Sequence, residues 1–291
     1  MKKFLIIMLL ALTACSLEKR DLADSIVSIT NMAENSGGTG SIVQVDKKTV
    51  ILTNGHVCAV VAKGGLVHTA DGQSHLVTGY RLSTIHDLCA ISIAQKLSNP
   101  LFLSSRHQNI YDDVTVAGHP KLLPTIVTLG HLSDRRIVTV LAGFRPCTPE
   151  ETESPNTALF CAMIGKLPLV KRYEANVVSA LIQPGSSGSP VLNANGDIAQ
   201  VIFAGSGDIG FGIAVPQEYV TVFLRFELES LPKIVPNSDL DFADMASRRN
   251  ENNEVTKQFE DLCRTKVELT GNELCKEILS STGMNDLIYR R

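Results

Sequence analysis

The stretch QPGSSGSPVLNANGD, residues 183–197, sets Ser187 between Ser186 and Gly188 in a bend that also holds Gly185 and Pro190. Glycine supplies the unusual backbone angles such a bend requires, but a loop does not need this order. The order suits a serine held out for nucleophilic attack. A serine hydroxyl attacks poorly at neutral pH unless a base lies within hydrogen-bond reach and an acid orients that base. Two further stretches offer these partners. His56 follows an apolar run in TVILTNGHVC, and Asp87 precedes another in STIHDLCAISI. A histidine, an aspartate and a serine at three junctions of strand and turn can carry acyl transfer through a covalent intermediate, with no metal and no cofactor.

The elements that must position them read as short strands. Between residues 24 and 231 the segments SIVSIT, GSIVQVD, TVILTN, LVTGYRL, CAISIA, VTVAG, TIVTLGHL, RRIVTVLAGF, NVVSALI, PVLN, IAQVIFAG and FGIAV are rich in Val, Ile, Thr and Leu. Gly, Asn, Asp and Pro punctuate them. Short, closely spaced strands indicate an all-β barrel or sandwich, and twelve of them suit two barrels of six. PQEYVTVFLRFELESL, 216–231, changes period: Tyr219, Val222, Phe223 and Phe226 recur at three and four, so a helix closes the region with Pro216 in its first turn. Residues 232–250 read as a polar linker, and 251–291 as a helical hairpin too short to bury a core alone, which must dock on the β domain or on a partner.

These segments resemble the chymotrypsin-like (trypsin-like) serine proteases, and most closely their HtrA/Deg-like bacterial members, here without a PDZ domain. GTGSIVQVDKKTVILTNGHV is similar to the family's glycine-serine strand, hairpin and histidine turn. HDLCAISI resembles its Asp-Leu-Ala strand, and VAGHPKLLPTIVTLGHLS its Gly-x-Pro and following strand. GSSGSP stands where the family has Gly-x-Ser-Gly-Gly-Pro, and GFGIAVP where it has the last strand before the closing helix. The resemblance spans residues 24–231. It implies two six-stranded antiparallel β-barrels with the site between them, a C-terminal helix, and hydrolysis of protein or peptide substrates. Carried over by position, Ser187 is the nucleophile, His56 the general base and Asp87 its orienting carboxylate. The N–H groups of Gly185 and Ser187 form the oxyanion hole, each donor worth roughly 3–4 kcal/mol of barrier.

Three departures follow. Ser186 replaces the acid of chymotrypsin itself, so activation by a buried new N-terminus has no carboxylate to meet. Ser189 replaces a glycine. The interval from Asp87 to Ser187 is long, and residues 144–161, an acidic loop flanked by cysteines, account for the excess as lid, substrate contact or decoration. Leu181, six residues before the nucleophile, stands where trypsin-type enzymes hold an acid. With Ile202 and Phe203 it implies an apolar specificity pocket that leaves Lys or Arg unpaired; the alternative is that all three are core.

The chain has 291 residues, 44% hydrophobic and 20% charged, with a net charge of −3, no tryptophan and 5% aromatic residues. That composition excludes an electrostatic nucleic-acid surface and an aromatic stacking platform. MKKFLIIMLLALTAC reads as a secretory signal, too short to span a bilayer, and small residues before Cys15 resemble a bacterial lipobox. Cys15 would then be lipidated and hold the mature chain on a membrane, facing the periplasm or the cell surface; an ordinary signal peptide is the alternative. The other six cysteines allow fifteen pairings. Spacing favours Cys147–Cys161 and Cys263–Cys275, which leaves Cys58–Cys89, a bridge that would tie the His turn to the Asp strand; buried free thiols are the alternative. His68, His75, His107 and His131 carry no motif, and His86 should point away from Asp87 along the strand. The stretch after residue 231 is too short for a PDZ module, and the segment between Cys15 and the first strand offers little for a trimer. The competing reading is a silent or self-cleaving protease scaffold that serves as a binding protein at the membrane.

Overall fold

The structure is a computed structural model that describes residues 22–61, 64–206, 210–228, 257–258, 261–265 and 275. Residue Cys15, the signal segment and the 232–250 linker lie outside the described residues, as does most of the 251–291 tail. The first barrel comprises β1 (Ile26–Asn31), β2 (Gly37–Val45), β3 (Lys48–Thr53), β4 (Gly65–His68), β5 (Ser74–Leu82) and β6 (Cys89–Ile93), closed in the order β1-β2-β3-β6-β5-β4. The second comprises β7 (Asp113–Gly118), β8 (Ile126–Pro146), β9 (Lys166–Val178), β10 (Pro190–Leu192), β11 (Ile198–Ser206) and β12 (Phe211–Val215), closed in the order β10-β11-β12-β9-β8-β7. Neighbouring strands pair antiparallel throughout.

The strands read as continuous apolar runs because both their faces are buried. In β3, Ile51 points into the first barrel beside Val27, Ile29, Ile42 and Ile91. Its neighbours Val50 and Leu52 point outward, into a core shared with the second barrel that includes Val43, Ala90, Val201, Phe203 and Val215. The period of two therefore separates two cores and not a core from solvent.

The second barrel differs from the expected strand list. TIVTLGHL and RRIVTVLAGF form one strand, β8, with a bulge between Leu132 and Asp134 where the polar interruption falls. Its partner β9 begins at Lys166, well ahead of the expected NVVSALI segment. Together they form a long hairpin arm, paired from Leu132 opposite Val178 to Pro146 opposite Lys166. Two short helices, α1 (Pro149–Glu153) and α2 (Ala158–Ile164), cap its tip, and the Cys147–Cys161 disulfide closes it. Thr148 and Glu151 form a reciprocal capping box at α1. The Arg145 guanidinium, helped by the Thr148 N–H, holds the Glu151 carboxyl down to about 2. The Cys263–Cys275 disulfide and Leu262 pack against Phe160, Cys161 and Leu167, so the described part of the tail rests on this tip.

The closing helix, α3 (Gln217–Val222), runs on into a π-turn over Phe223–Glu227. Pro216 caps it from outside the first turn. Its buried stripe is Val220, Phe223, Leu224 and Glu227, while Phe226 is 63% exposed. The apolar stripe expected from Tyr219, Val222, Phe223 and Phe226 is thus displaced by one residue. A carboxylate fills the last inward position because Glu227 accepts hydrogen bonds from Ser83 Oγ at 2.9 Å and Thr84 N–H at 2.8 Å.

Candidate active site

Strand register brings His56 and Asp87 together. β3 and β6 pair with Thr53 opposite Cys89. The residues just after one strand therefore face those just before the other. A one-and-a-half-turn helix over Gly55–Val60 carries His56. Its backbone N–H lies 3.0 Å from Asp87 Oδ1, and its Nδ1 lies 2.6 Å from Asp87 Oδ2. Asn54 Nδ2 donates to the Asp87 carbonyl at 2.9 Å. Gly55 leaves the carboxylate its space, since a Cβ there would stand 2.9 Å from Oδ1. The Cys58–Cys89 disulfide clamps the same two segments; closing a loop of that length stabilises a fold by about 4 kcal/mol. Burial pulls the Asp87 carboxyl up, but the facing His56 and the hydrogen bonds from it outweigh that and hold it below its ordinary value. An ionised carboxylate only accepts, so the imidazole carries its proton on Nδ1 and turns a bare Nε2 outward.

Ser187 lies on the loop between β9 and β10. Gly185 and Gly188 both take positive φ, +93° and +88°, a region that side chains disfavour. Thr39 of β2, wholly buried, organises this loop. Its N–H donates to the Ser187 carbonyl at 2.8 Å, and its hydroxyl donates to the Gly185 carbonyl at 2.8 Å. In turn it accepts from the His119 N–H at 2.8 Å and, on its carbonyl, from Thr53 Oγ1 at 2.7 Å. One residue thus joins the serine loop of the second barrel to the strand that leads to His56. Gly38 fills the gap between the two: a Cβ there would meet Val57 Cγ2 at 2.6 Å and the Ser187 carbonyl at 2.9 Å.

The two candidate oxyanion donors are aimed by the carbonyls that share their peptide planes. The Gly185 N–H lies opposite the Pro184 carbonyl, which accepts from Lys121 N–H at 2.6 Å. The Ser187 N–H lies opposite the Ser186 carbonyl, which accepts from Ser189 N–H at 3.0 Å. A planar trans peptide directs N–H and C=O oppositely, so fixing each carbonyl fixes each donor. Among the described residues neither N–H has an acceptor of its own. Nor does any hydrogen bond join the Ser187 hydroxyl to His56. Among the same residues no three His, Cys, Asp or Glu side chains are grouped so as to hold a metal ion, and no helix is long and apolar enough to cross a membrane.

Known proteins share this fold. Residues 38–199 match the model of the trypsin-like peptidase domain, more than half of the chain. The chain belongs to the trypsin-like peptidase family. Among its relatives, a Chlamydia trachomatis serovar D protein named "Probable periplasmic serine endoprotease DegP-like" is 31% identical over 186 residues, which cover 62% of this chain and 31% of that protein. Its namesake in Chlamydia pneumoniae is 31% identical over 187 residues, 62% of this chain and 32% of that one. The chain therefore spans about a third of the length of these relatives. The active form of the Rv3671c protease from M. tuberculosis shares the fold at a TM-score of 0.55 and 18% identity, over 75% of this chain and 86% of that one.

Within this trypsin-like domain the other expected site residues fall in different places. Leu181 is 53% exposed. Ile202 lies inside the second barrel directly behind the serine, where its carbonyl accepts from Gly188 N–H at 2.8 Å. Phe203 points the other way, into the core between the barrels. The residue that stands between the candidate pocket walls is Ile182: a Cβ on Gly205 would approach its Cγ2 to 2.5 Å, and one on Gly212 its Cγ1 to 2.7 Å. The spacing of those glycines across GSGDIGFG was the available signal. Thr39 and His119 also escaped the sequence reading: the Thr39 hydroxyl and amide bond backbone carbonyls of the distant serine loop, the His119 N–H bonds that hydroxyl, and no motif marks either residue. His68 bonds Thr30 and Ser74, and His131 bonds Ser179.

Proposed function

We propose that the chain is an exported serine endopeptidase. The observation that carries this is the His56–Asp87 pair, which sets the imidazole tautomer and leaves Nε2 free to receive a proton. Ser187 Oγ attacks the peptide carbonyl as its proton passes to Nε2. The oxyanion that forms meets the N–H groups of Gly185 and Ser187. His56 then gives the proton to the leaving amine, and water activated by the same nitrogen releases the acyl group from Ser187. The Ser187–His56 hydrogen bond need not be made in the empty site, since such bonds commonly tighten once substrate is bound. That same unmade bond is the observation that favours the second reading, a silent or self-cleaving scaffold acting as a binding protein. A fluorophosphonate probe separates them. The peptidase is expected to carry the label on the peptide containing Ser187; a chain that stays unlabelled while fully folded supports the scaffold.

Ile182, 3% exposed and held between Gly205 and Gly212, fills the base of the apolar pocket in this reading. The pocket then takes small aliphatic side chains before the scissile bond. Ile182→Ala is expected to move the kcat/KM ratio toward larger apolar residues by about tenfold, at a cost of about 2–5 kcal/mol in stability. A peptide-library profile unchanged by the substitution would place the pocket elsewhere.

Export agrees with the signal-like first 15 residues, with periplasmic naming among relatives, and with disulfides that persist in oxidising compartments. Lipid attachment at Cys15 would hold the enzyme on the membrane. Cys15→Ala is expected to move the protein from the membrane fraction to the soluble one, and unchanged fractionation would count against the anchor.

A further inference from the structure

His86 immediately precedes Asp87, yet its ring leaves the cleft and enters the seam between the barrels. It is 6% exposed. It packs on Tyr173 of β9 with ring centroids 4.6 Å apart, on Tyr219 of α3 at 5.0 Å and on Phe203 of β11 at 5.9 Å. Its Nε2 lies 3.1 Å from the Glu174 carbonyl oxygen, and its Nδ1 lies 3.2 Å from the Asp87 N–H. A carbonyl only accepts and a backbone N–H only donates. One protonation state satisfies both: the neutral ring with its hydrogen on Nε2 and a lone pair on Nδ1. A second proton would set two donors face to face at Asp87.

The same loop has a second anchor. Glu227 accepts from Ser83 Oγ and Thr84 N–H, while Ser83 Oγ accepts from the N–H groups of Ile85 at 3.2 Å and His86 at 3.3 Å. The closing helix thus pins one end of the 83–87 loop. His86 pins the other, where Asp87 follows.

We infer that His86 is a positioning residue of the hydrolytic reaction: as a neutral ring it keys the Asp87 loop to the second barrel and so sets the carboxylate beneath His56. The inference rests on reading Ser187, His56 and Asp87 as the triad. The ionisable groups facing the ring are Asp87 on its own loop, Tyr173 and Glu174 on β9, and Glu218 and Tyr219 on α3; Phe203 on β11 is uncharged. Burial lowers the His86 pKa, against the opposing pull of the Glu174 carbonyl, Asp87 and Glu218. The neutral ring is therefore the folded form. Its contribution is complete above the ordinary value of 6.5 and is lost as pH falls through the lower folded value.

The test uses the full chain and its rate of fluorophosphonate labelling between about pH 5 and 8. In the wild type the logarithm of the rate should fall more steeply at the acid end than it does in a variant without the His86 ring, because a proton on that ring disrupts its contact with the Asp87 N–H. His86→Asn keeps an acceptor for the Asp87 N–H but cannot titrate, so its acid limb should be shallower than the wild type's, with the rate at high pH largely preserved. His86→Phe keeps the ring packing without the acceptor and should label about tenfold more slowly at high pH. Nitrogen-15 NMR of the wild type should show His86 protonated on Nε2 alone at neutral pH, a readout that stands even if a variant fails to fold. Labelling of His86→Phe at the wild-type rate, or a proton found on Nδ1, would overturn the inference while leaving the triad intact. A folded wild type that labels at no pH would overturn the triad reading, and this inference with it.

Discussion

Ser187→Ala is expected to lower kcat for peptide hydrolysis by on the order of 10⁶ and to abolish fluorophosphonate labelling, with stability changed by less than about 0.5 kcal/mol. The two halves of this expectation have separate causes. Activity falls because no other hydroxyl can replace the lost one. Ser186, the neighbouring candidate, is 5% exposed, with its Oγ turned back to the Gln183 N–H. Stability holds because the Ser187 hydroxyl has no hydrogen-bond partner among the described residues to be orphaned. The contact that does fix the residue, Thr39 N–H to the Ser187 carbonyl, belongs to the backbone and survives the substitution. Some rate enhancement should persist, since the Gly185 and Ser187 amides are aimed by carbonyl contacts that the side chain does not make. A folded Ser187→Ala protein that cleaves casein at the wild-type rate would exclude this serine as nucleophile.

What could be read in advance follows from how each feature is encoded. The twelve apolar segments and twelve strands agree in number through compensating differences. β8 was divided at Ser133 and Asp134, where the structure inserts a bulge and continues. β4 is only Gly65–His68, too short to stand out. The first half of β9 was hidden by Pro168 and its charged neighbours; in a two-stranded arm both outer edges are free, so proline and charge cost little there. The displaced stripe of α3 shows the limit of periodicity, which assigns inward positions to apolar residues and could not foresee that Glu227 would bind the loop of Asp87. The pairing of His56 with Asp87 and the place of Ser187 between two glycines of positive φ were legible because each residue sits in a short motif. Lys121 and Ile182 were not, because they contribute an amide direction and a filled volume that many residues could supply; nor was Thr39, whose hydroxyl meets partners far away in the chain.

Asp87→Asn should lower kcat by roughly 10⁴, less than loss of the serine, and the geometry specifies why. The carboxylate meets two donors at once, the His56 backbone N–H at Oδ1 and Nδ1–H at Oδ2. An amide has one acceptor for the two. If its oxygen serves the backbone N–H, which cannot move, its NH₂ faces Nδ1. The imidazole must then accept there and carry its hydrogen on Nε2, where it blocks proton transfer from Ser187. Turning the amide over frees Nδ1 but sets NH₂ against the backbone N–H, leaving a donor unpaired in a half-buried site. Acid cannot mimic this variant at moderate pH: the Asp87 pKa is lowered from 3.8, so the stability its charge contributes is complete above that value and disappears only as pH falls through the lower folded one. The acid limb of activity at moderate pH therefore does not belong to this carboxylate. In the Ser187→Ala background Asp87→Asn should cost almost nothing further, because a base without a nucleophile has no work to lose. Additive losses in the double variant would mean that Asp87 acts on something other than the proton passed between Ser187 and His56.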